Sequence, residues 1–498
     1  MKIYAPWERT FEKIATPFER FIHAQTTTGL ILMVMTVIAL LLANTPLTEA
    51  YADFFHTHID LQVGSWNLSH TIHHWINDGL MAIFFFIIGL EIKREILVGE
   101  LSNIKVAILP IVAAIGGMVL PALIYTYFNY GHESVNGWGI PMATDIAFAI
   151  SALVLLGSRV SSPLVTFLVA LAIVDDLGAV AVIAIFYTAE IHLTPLMLAG
   201  ASFLVMVIFN RFGIRAVLPY FFVGLVMWFF MLESGVHATI AGVIAAMTIP
   251  SIPKRTPSDF TQRTKNLLDE YDNYPVGDHY MIHDKQRTIL HNIKDSIDAV
   301  NSPSAKLEHE LHLPVALIVI PLFALANAGV SIDFSSFGKE VSSPVSLGVI
   351  MGLILGKVLG IAGVSWLAIK IGIARLPEKT TMSQIFGVAF LGGIGFTMSI
   401  FVADLAFSGN DILIFQAKIG ILTASLISGL IGYIWLYRAA KPQEQTTLEN
   451  WSLPHIKTRA NLRVFGKVVD YLSLRTLSHL YKQTPNKEPR LLSRDPLA

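Results

Sequence analysis

Long apolar runs recur along this chain, at about 28–45, 79–92, 106–128, 137–157, 164–187, 195–210, 214–232, 236–250, 313–332, 345–369, 384–407 and 412–437. Most approach the roughly 20 residues that a helix needs to cross a bilayer. A segment in lipid must satisfy its own backbone hydrogen bonds, so these runs read as α-helices. The expected fold class is an all-α polytopic membrane protein of about twelve transmembrane helices, with the lipid bilayer as its first partner. Composition agrees, since 54% hydrophobic and 14% charged residues make a chain too apolar for an ordinary soluble protein of this size. A net charge of −1 leaves no electrostatic footprint for nucleic acid. The absence of cysteine excludes disulfides, thiolate metal sites and cysteine catalysis. The N-terminal stretch with Lys2, Arg9, Lys13 and Arg20 lacks a compact apolar core before a cleavage site, so no removable signal peptide is expected.

Basic residues give the orientation. Stretches free of Lys and Arg run from Pro46 to Ile92, Pro121 to Ser158, Val160 to Asn210 and Ala216 to Pro253. Lys93, Arg94, Lys105, Arg159, Arg211, Arg215, Lys254, Arg255, Arg375, Lys379 and Arg438 mark every second connection. By the positive-inside rule both termini face the cytoplasm and the number of spans is even. Lys339 and Lys418 are the exceptions. Residues 1–440 then form the membrane domain, with an outer loop at 46–70, a polar cytoplasmic insert at 251–311 and a cytoplasmic tail at 441–498. In the outer loop, apolar and polar residues alternate on either side of Gly64-Ser65, the pattern of a β-hairpin. Its free edge reads either as a pairing surface for a second subunit or as a solitary loop ornament. Short helices are expected near Asp259–Glu270 and Lys285–Val300, and the tail's Arg459–Tyr481 reads either as an amphipathic surface helix or as disorder.

Within the run from Leu164 to Phe186 stand two adjacent carboxylates, Asp175 and Asp176. An aspartate at the centre of a spanning helix costs about 2.5–3.5 kcal/mol on insertion scales, and two also repel each other. A structural ion pair needs only one, so the doublet points to a cation or proton site. Gly139-Ile-Pro-Met-Ala-Thr-Asp145 and Gly393-Ile-Gly-Phe-Thr-Met-Ser399 interrupt two runs that cross in opposite directions. Matched without gaps, they set Asp145 opposite Ser399. Broken spans at corresponding, inverted places suggest an inverted repeat with a mid-membrane site, although Gly and Pro also serve close helix packing. Broken helix ends carry partial charges. Asp145 and Lys357, a rare intramembrane cation, are the candidates to compensate them, and Lys357 is equally a candidate partner for the doublet.

The stretches Ile76–Glu95, Pro141–Ala149, Ala172–Gly178, Leu307–His312, Pro321–Gly329 and Gly392–Ile400 closely resemble those of the bacterial NhaA sodium/proton antiporters, in matching order over about residues 20–437. The inverted-repeat rule draws in part on this family and so gives no independent support. The resemblance implies twelve helices, broken and crossing fourth and eleventh helices, and an inner-membrane homodimer joined through the hairpin at 57–70. It implies exchange of cytoplasmic Na+ or Li+ for external protons, electrogenic and regulated by pH. It places the cation at Asp175 and Asp176 with Thr144 and Asp145 nearby, and Lys357 beside the first aspartate. Glu91, Arg94, Glu95, Glu308, His309 and His312 match positions linked to pH activation; His237, at the start of the eighth span near the outer surface, reads as structural, although the family links its position to pH response. The long insert and the tail depart from the shorter members.

Read chemically, Na+ is a hard ion that calls for oxygen ligands. Two buried like charges titrate as a coupled unit. Na+ and protons are therefore expected to compete for one site, with rocking of a helix group alternating its access. No cofactor and no enzyme activity are expected. A Na+-coupled symporter of an organic solute is the alternative. An intramembrane aspartyl protease fits poorly, because its two aspartates converge from different helices, and a passive channel would require no counter-ion.

Overall fold

The computed structural model describes residues 25–63, 66–188, 191–274, 284–331 and 337–440. Helix dominates, as apolar runs without other backbone partners require. Among the described residues, seven helices are long and apolar enough to cross a membrane, and each of two bent pairs qualifies as one more. The tail at 441–498 and the turn at Gly64-Ser65 lie outside the described residues.

Helix α1 (Gln25–Ala43) is followed by α2 (Thr48–His56) at a bend of 112°. Strands β1 (His58–Val63) and β2 (Trp66–Thr71) then pair antiparallel, with Ile59 opposite His70 and Val63 opposite Trp66. This is the expected hairpin. A short helical turn and a π-helical stretch, Trp75–Leu80, lead into α3 (Met81–Leu97). Helix α4 (Ile104–Phe128) carries Pro110 and Pro121.

The next apolar run does not form one helix. A 3-10 segment, Glu133–Met142, gives way to extended backbone at Ala143 and Asp145, and α5 (Ile146–Val154) starts afresh. Pro141 lacks the N–H that a continuous helix would use. Helix α6 (Ser162–Phe186), opened by Pro163, holds the aspartate doublet. Helices α7 (Leu193–Arg211), α8 (Val217–Glu233) and α9 (Thr239–Thr248) follow.

Helices α10 (Pro257–Asp272) and α11 (Asp284–Val300) form a compact unit of their own, with Leu267, Ile289 and Ile293 as its core. Thr256 caps α10 by accepting the Asp259 N–H, and Pro257 starts it.

The chain then continues through α12 (Pro303–Asn327) and α13 (Pro344–Ile371), both containing π-helical stretches. Helices α14 (Met382–Leu391) and α15 (Phe396–Ala406) are the halves of the second broken element, bent by 49°, and α16 (Asp411–Ala439) ends the described chain. By cap position Asp145 corresponds to Gly395, four residues from the partner that gapless matching gives it. A shift of about one helical turn preserves the apolar periodicity, which is why sequence matching alone did not resolve it.

Among the described residues, two large apolar cores and two small clusters hold the membrane unit. The larger gathers residues of α4, α5, α6 and α12–α16, including Leu171, Phe323, Leu353 and Phe401. The smaller joins α3, α7, α8 and α9 through Leu90, Met206, Tyr220 and Ala246. In the larger core, α4 and α13 meet at Gly116 and Gly360, where a Cβ on either would collide with the other's carbonyl oxygen. Small residues permit that approach. It brings Lys357, one turn before Gly360 and between two π-helical stretches, against the broken elements.

Candidate ion-binding site

The two chain breaks meet. The Asp145 N–H donates to the Ile394 carbonyl at 2.7 Å, and Ser399 Oγ donates to the Ile140 carbonyl at 2.7 Å. Helices α5 and α15 both begin here, so their N-terminal N–H groups converge. Asp145 takes up both ends: Oδ1 accepts from the Phe148 N–H at 3.1 Å, and Oδ2 accepts from the Thr397 N–H at 3.1 Å and its hydroxyl at 2.6 Å. A buried carboxylate at two helix N-termini is stabilised by the same orphan donors and partial charges that those ends would otherwise leave exposed.

The opposite partial charge is met by Lys357, whose side chain is fully enclosed. Its ammonium donates to the Met142 carbonyl, to Thr144 Oγ1 at 3.0 Å and to Asp175 Oδ2 at 2.7 Å. Those are all three donors that an ammonium has. Thr144 Oγ1 lies 2.7 Å from Asp175 Oδ2 and 2.9 Å from the Gly392 carbonyl, with one proton to give to either. The two roles considered for Lys357 are thus both filled, since it pairs with Asp175 and caps the broken backbone.

Asp175 and Asp176 are each 1% exposed. Asp175 Oδ2 is bound, but Asp175 Oδ1 and both oxygens of Asp176 are enclosed with no hydrogen-bond partner among the described residues. Native interiors rarely leave such oxygens unsatisfied, and those that remain call for a functional explanation. These three oxygens, on adjacent residues of one helix, are hard donors of the kind that a small monovalent cation or protons would take. The structure thus joins Asp175, Thr144 and Lys357 by hydrogen bonds, with Asp176 and Asp145 each next in the chain and Asp145 bound in turn to Thr397. Thr397 and the carbonyls of Met142 and Gly392 belong to the site as well. Sequence reading passed over them, because a backbone carbonyl leaves no trace in residue identity. Thr397 stood inside a motif already singled out and was the one legible signal.

At the end of the bundle away from the hairpin, Arg94 gathers the expected acids. Its guanidinium lies 2.9 Å from Glu95 Oε1, 2.8 Å from Glu308 Oε1 and 3.9 Å from Glu91. Glu95 Oε2 also accepts the Glu100 N–H at 2.9 Å. This ties α3 to α12. His309 and His312 lie exposed on α12 and enter no hydrogen bond or ion pair among the described residues. At the hairpin end, His237 Nε2 lies 2.7 Å from the Tyr187 carbonyl and His74 Nδ1 lies 3.2 Å from Asp78.

Together, the apolar helices, the paired chain breaks and the enclosed acidic doublet define a polytopic membrane protein built around a buried ionisable centre. Residues 19–436 match the family model described as Na+/H+ antiporter 1. The Na(+)/H(+) antiporter NhaA of Sulfurimonas denitrificans is 73% identical over 441 residues, 89% of this chain and 99% of that protein. Na(+)/H(+) antiporter NhaA 1 of Saccharophagus degradans is 50% identical over 87% of this chain and 93% of its own length. The Na(+)/H(+) antiporter NhaA of Dichelobacter nodosus is 47% identical over 86% and 93%. The chain belongs to the Na+/H+ antiporter 1 family.

Proposed function

We propose that this protein exchanges cytoplasmic Na+ or Li+ for external protons across a bacterial inner membrane, at the site formed by Asp175 and Asp176. One observation carries the reading: three enclosed carboxylate oxygens of the doublet have no partner among the described residues, while the neighbouring ammonium has a full set. The names of the relatives support it independently. We read the chain as twelve spanning helices with both termini cytoplasmic. The two broken elements are the counterparts of an inverted repeat, and the protein is a homodimer joined through the hairpin at 57–70. Residues 1–440 act as the membrane domain, with the insert at 251–311 and the tail at 441–498 on the cytoplasmic side.

The geometry performs exchange in the following way. Coupled carboxylates this close hold either the ion or protons, not both. When Na+ neutralises Asp175, Lys357 loses its counter-charge and releases a proton. More than one proton then moves per sodium ion, and the membrane potential contributes to export. Asp145 acts by holding the two helix starts beside the site, with Thr144 linking them to the doublet. The group of Glu91, Arg94, Glu95 and Glu308, with exposed His309 and His312, sets the response to cytoplasmic pH. No cofactor is needed, and the chemistry is transport rather than catalysis.

The test is everted membrane vesicles holding an imposed pH gradient. Each alkali cation is added in turn across several pH values, for wild type, Asp175→Asn and Asp176→Asn. Na+ and Li+ are expected to collapse the gradient in wild type alone. An undiminished response in both variants overturns the site. Collapse only on adding an organic solute with Na+ would instead indicate the symporter.

A further inference from the structure

A second ion pair, partly buried, lies at the hairpin end, apart from the doublet. Lys418 Nζ of α16 stands 3.1 Å from Asp404 Oδ1 of α15, with their side chains 13% and 12% exposed. Asp404 Oδ2 is enclosed and has no hydrogen-bond partner among the described residues. Beside the pair is a polar layer. Asn327 Oδ1 accepts from Asn77 at 3.3 Å and lies 2.8 Å from His73 Nε2, and Asn327 Nδ2 donates to Asn77 Oδ1 at 2.8 Å. Asp404, Lys418 and His56 act electrostatically on His73, and His74 adjoins it in the chain.

The position along α15 gives this cluster meaning. Thr397, which holds Asp145, and Asp404 are seven residues apart. They lie on one helix face and about 10 Å apart along the axis. Phe401 lies between them, its ring 5.6 Å from Phe85 and 6.1 Å from Phe323. Phe323 is one turn from Asn327 on α12. Moving toward the hairpin, the order is therefore ion site, buried aromatic layer, then the polar cluster.

We propose that Asp404 is a proton-relay site: protons entering from the outer side through the partly exposed pair reach its unpartnered Oδ2 and pass inward along α15 to the acidic doublet. This rests on the exchange reading and on the hairpin end facing outward. Lys418 holds the carboxylate in place through Oδ1. The slight exposure of the pair gives water access, and the aromatic layer separates the relay from the ion site until it parts.

The test uses the full-length protein in right-side-out and everted vesicles. It compares wild type, Asp404→Asn, Asp404→Glu and the neutral double variant Asp404→Asn with Lys418→Met. The relay predicts that Asp404→Asn and the double variant both need more external protons for half-maximal exchange. The increase should be on the order of tenfold, below the roughly hundredfold that a positioned acid–base group supplies at a reacting centre, because water offers a bypass. The cytoplasmic KM for Na+ stays at its wild-type value, and Asp404→Glu restores the external response. A double variant with wild-type external pH dependence overturns the proposal, since the pair then served only to balance charge. An equal shift at both faces also overturns it, since that is a through-space effect on the doublet. If Asp404→Asn fails to accumulate in the membrane, the charge-balanced double variant gives the same reading. Wild-type vesicles without Na+-driven proton movement overturn the exchange reading and the relay with it, whereas an active wild type with unaltered variants overturns the relay alone.

Discussion

Lys357 Nζ stands 2.7 Å from Asp175 Oδ2, and neither side chain is more than 1% exposed. Breaking a buried pair by removing one partner costs about 3–5 kcal/mol, because the other charge is left uncompensated. Lys357→Met is therefore expected to unfold at clearly lower temperature in detergent, and adding Asp175→Asn to it is expected to recover much of the loss. Thermal unfolding of the two single variants and the double variant checks this. Additive losses would mean that the pair is not coupled.

Asp176 differs because neither of its oxygens has a partner among the described residues. Asp176→Asn removes a buried charge without orphaning a neighbour, so its intrinsic stability should match or exceed that of wild type. What it loses is the gain from ligand. A bound ion stabilises the folded state by about 2.7 kcal/mol at a hundred times its Kd. Raising Na+ should raise the Tm of wild type and leave Asp176→Asn unmoved.

The contact of Arg94 with Glu308 links α3 to α12, but the arginine side chain is 42% exposed. Exposed pairs contribute about 0.2–1 kcal/mol by double-mutant cycles. Arg94→Gln, Glu308→Gln and their combination should give a coupling in that range for stability. All three should displace the pH profile of exchange by similar amounts. A profile that moves in none of them removes this group from regulation.

On the hairpin, the His70 imidazole is held below its ordinary value, first by burial and then by His74, on which it stacks at 4.1 Å. A base with a depressed folded-state pKa takes its proton more readily when undocked. The hairpin is thus fully packed above the ordinary histidine range and loosens as pH falls below it. Hydrogen exchange of the β1 and β2 amides, corrected for intrinsic rates, should quicken between neutral and mildly acid pH. In His70→Asn that dependence should flatten.

Much of this was legible in residue identities. Asp175 and Asp176 stood out because charge in an apolar helix is expensive, and Lys357 for the same reason. The hairpin followed from alternation around Gly64-Ser65, and the broken elements from Gly and Pro. The partners of these residues were hidden. Thr397 meets Asp145 across 252 positions of chain, and Lys357 reaches the carbonyl of Met142, which any residue there would supply. Asp404 had no assigned role and Lys418 was an exception to the charge pattern. Two unexplained intramembrane charges of opposite sign were the available clue to their pairing, but side-chain reach across two helices is a matter of packing, not of spacing. The one-turn offset between the two breaks escaped for a related reason, since apolar periodicity repeats with the helix.

Asp145 accepts N–H groups from the starts of both α5 and α15. A single carboxylate thereby rivets two helices that are far apart in sequence. Neither can slide or rotate alone without breaking its hydrogen bonds to the shared carboxylate. Whatever displacement accompanies ion passage must carry the pair as one rigid piece. A covalent tether between the two helix starts should accordingly leave turnover intact, whereas one from either helix to α6 should arrest it.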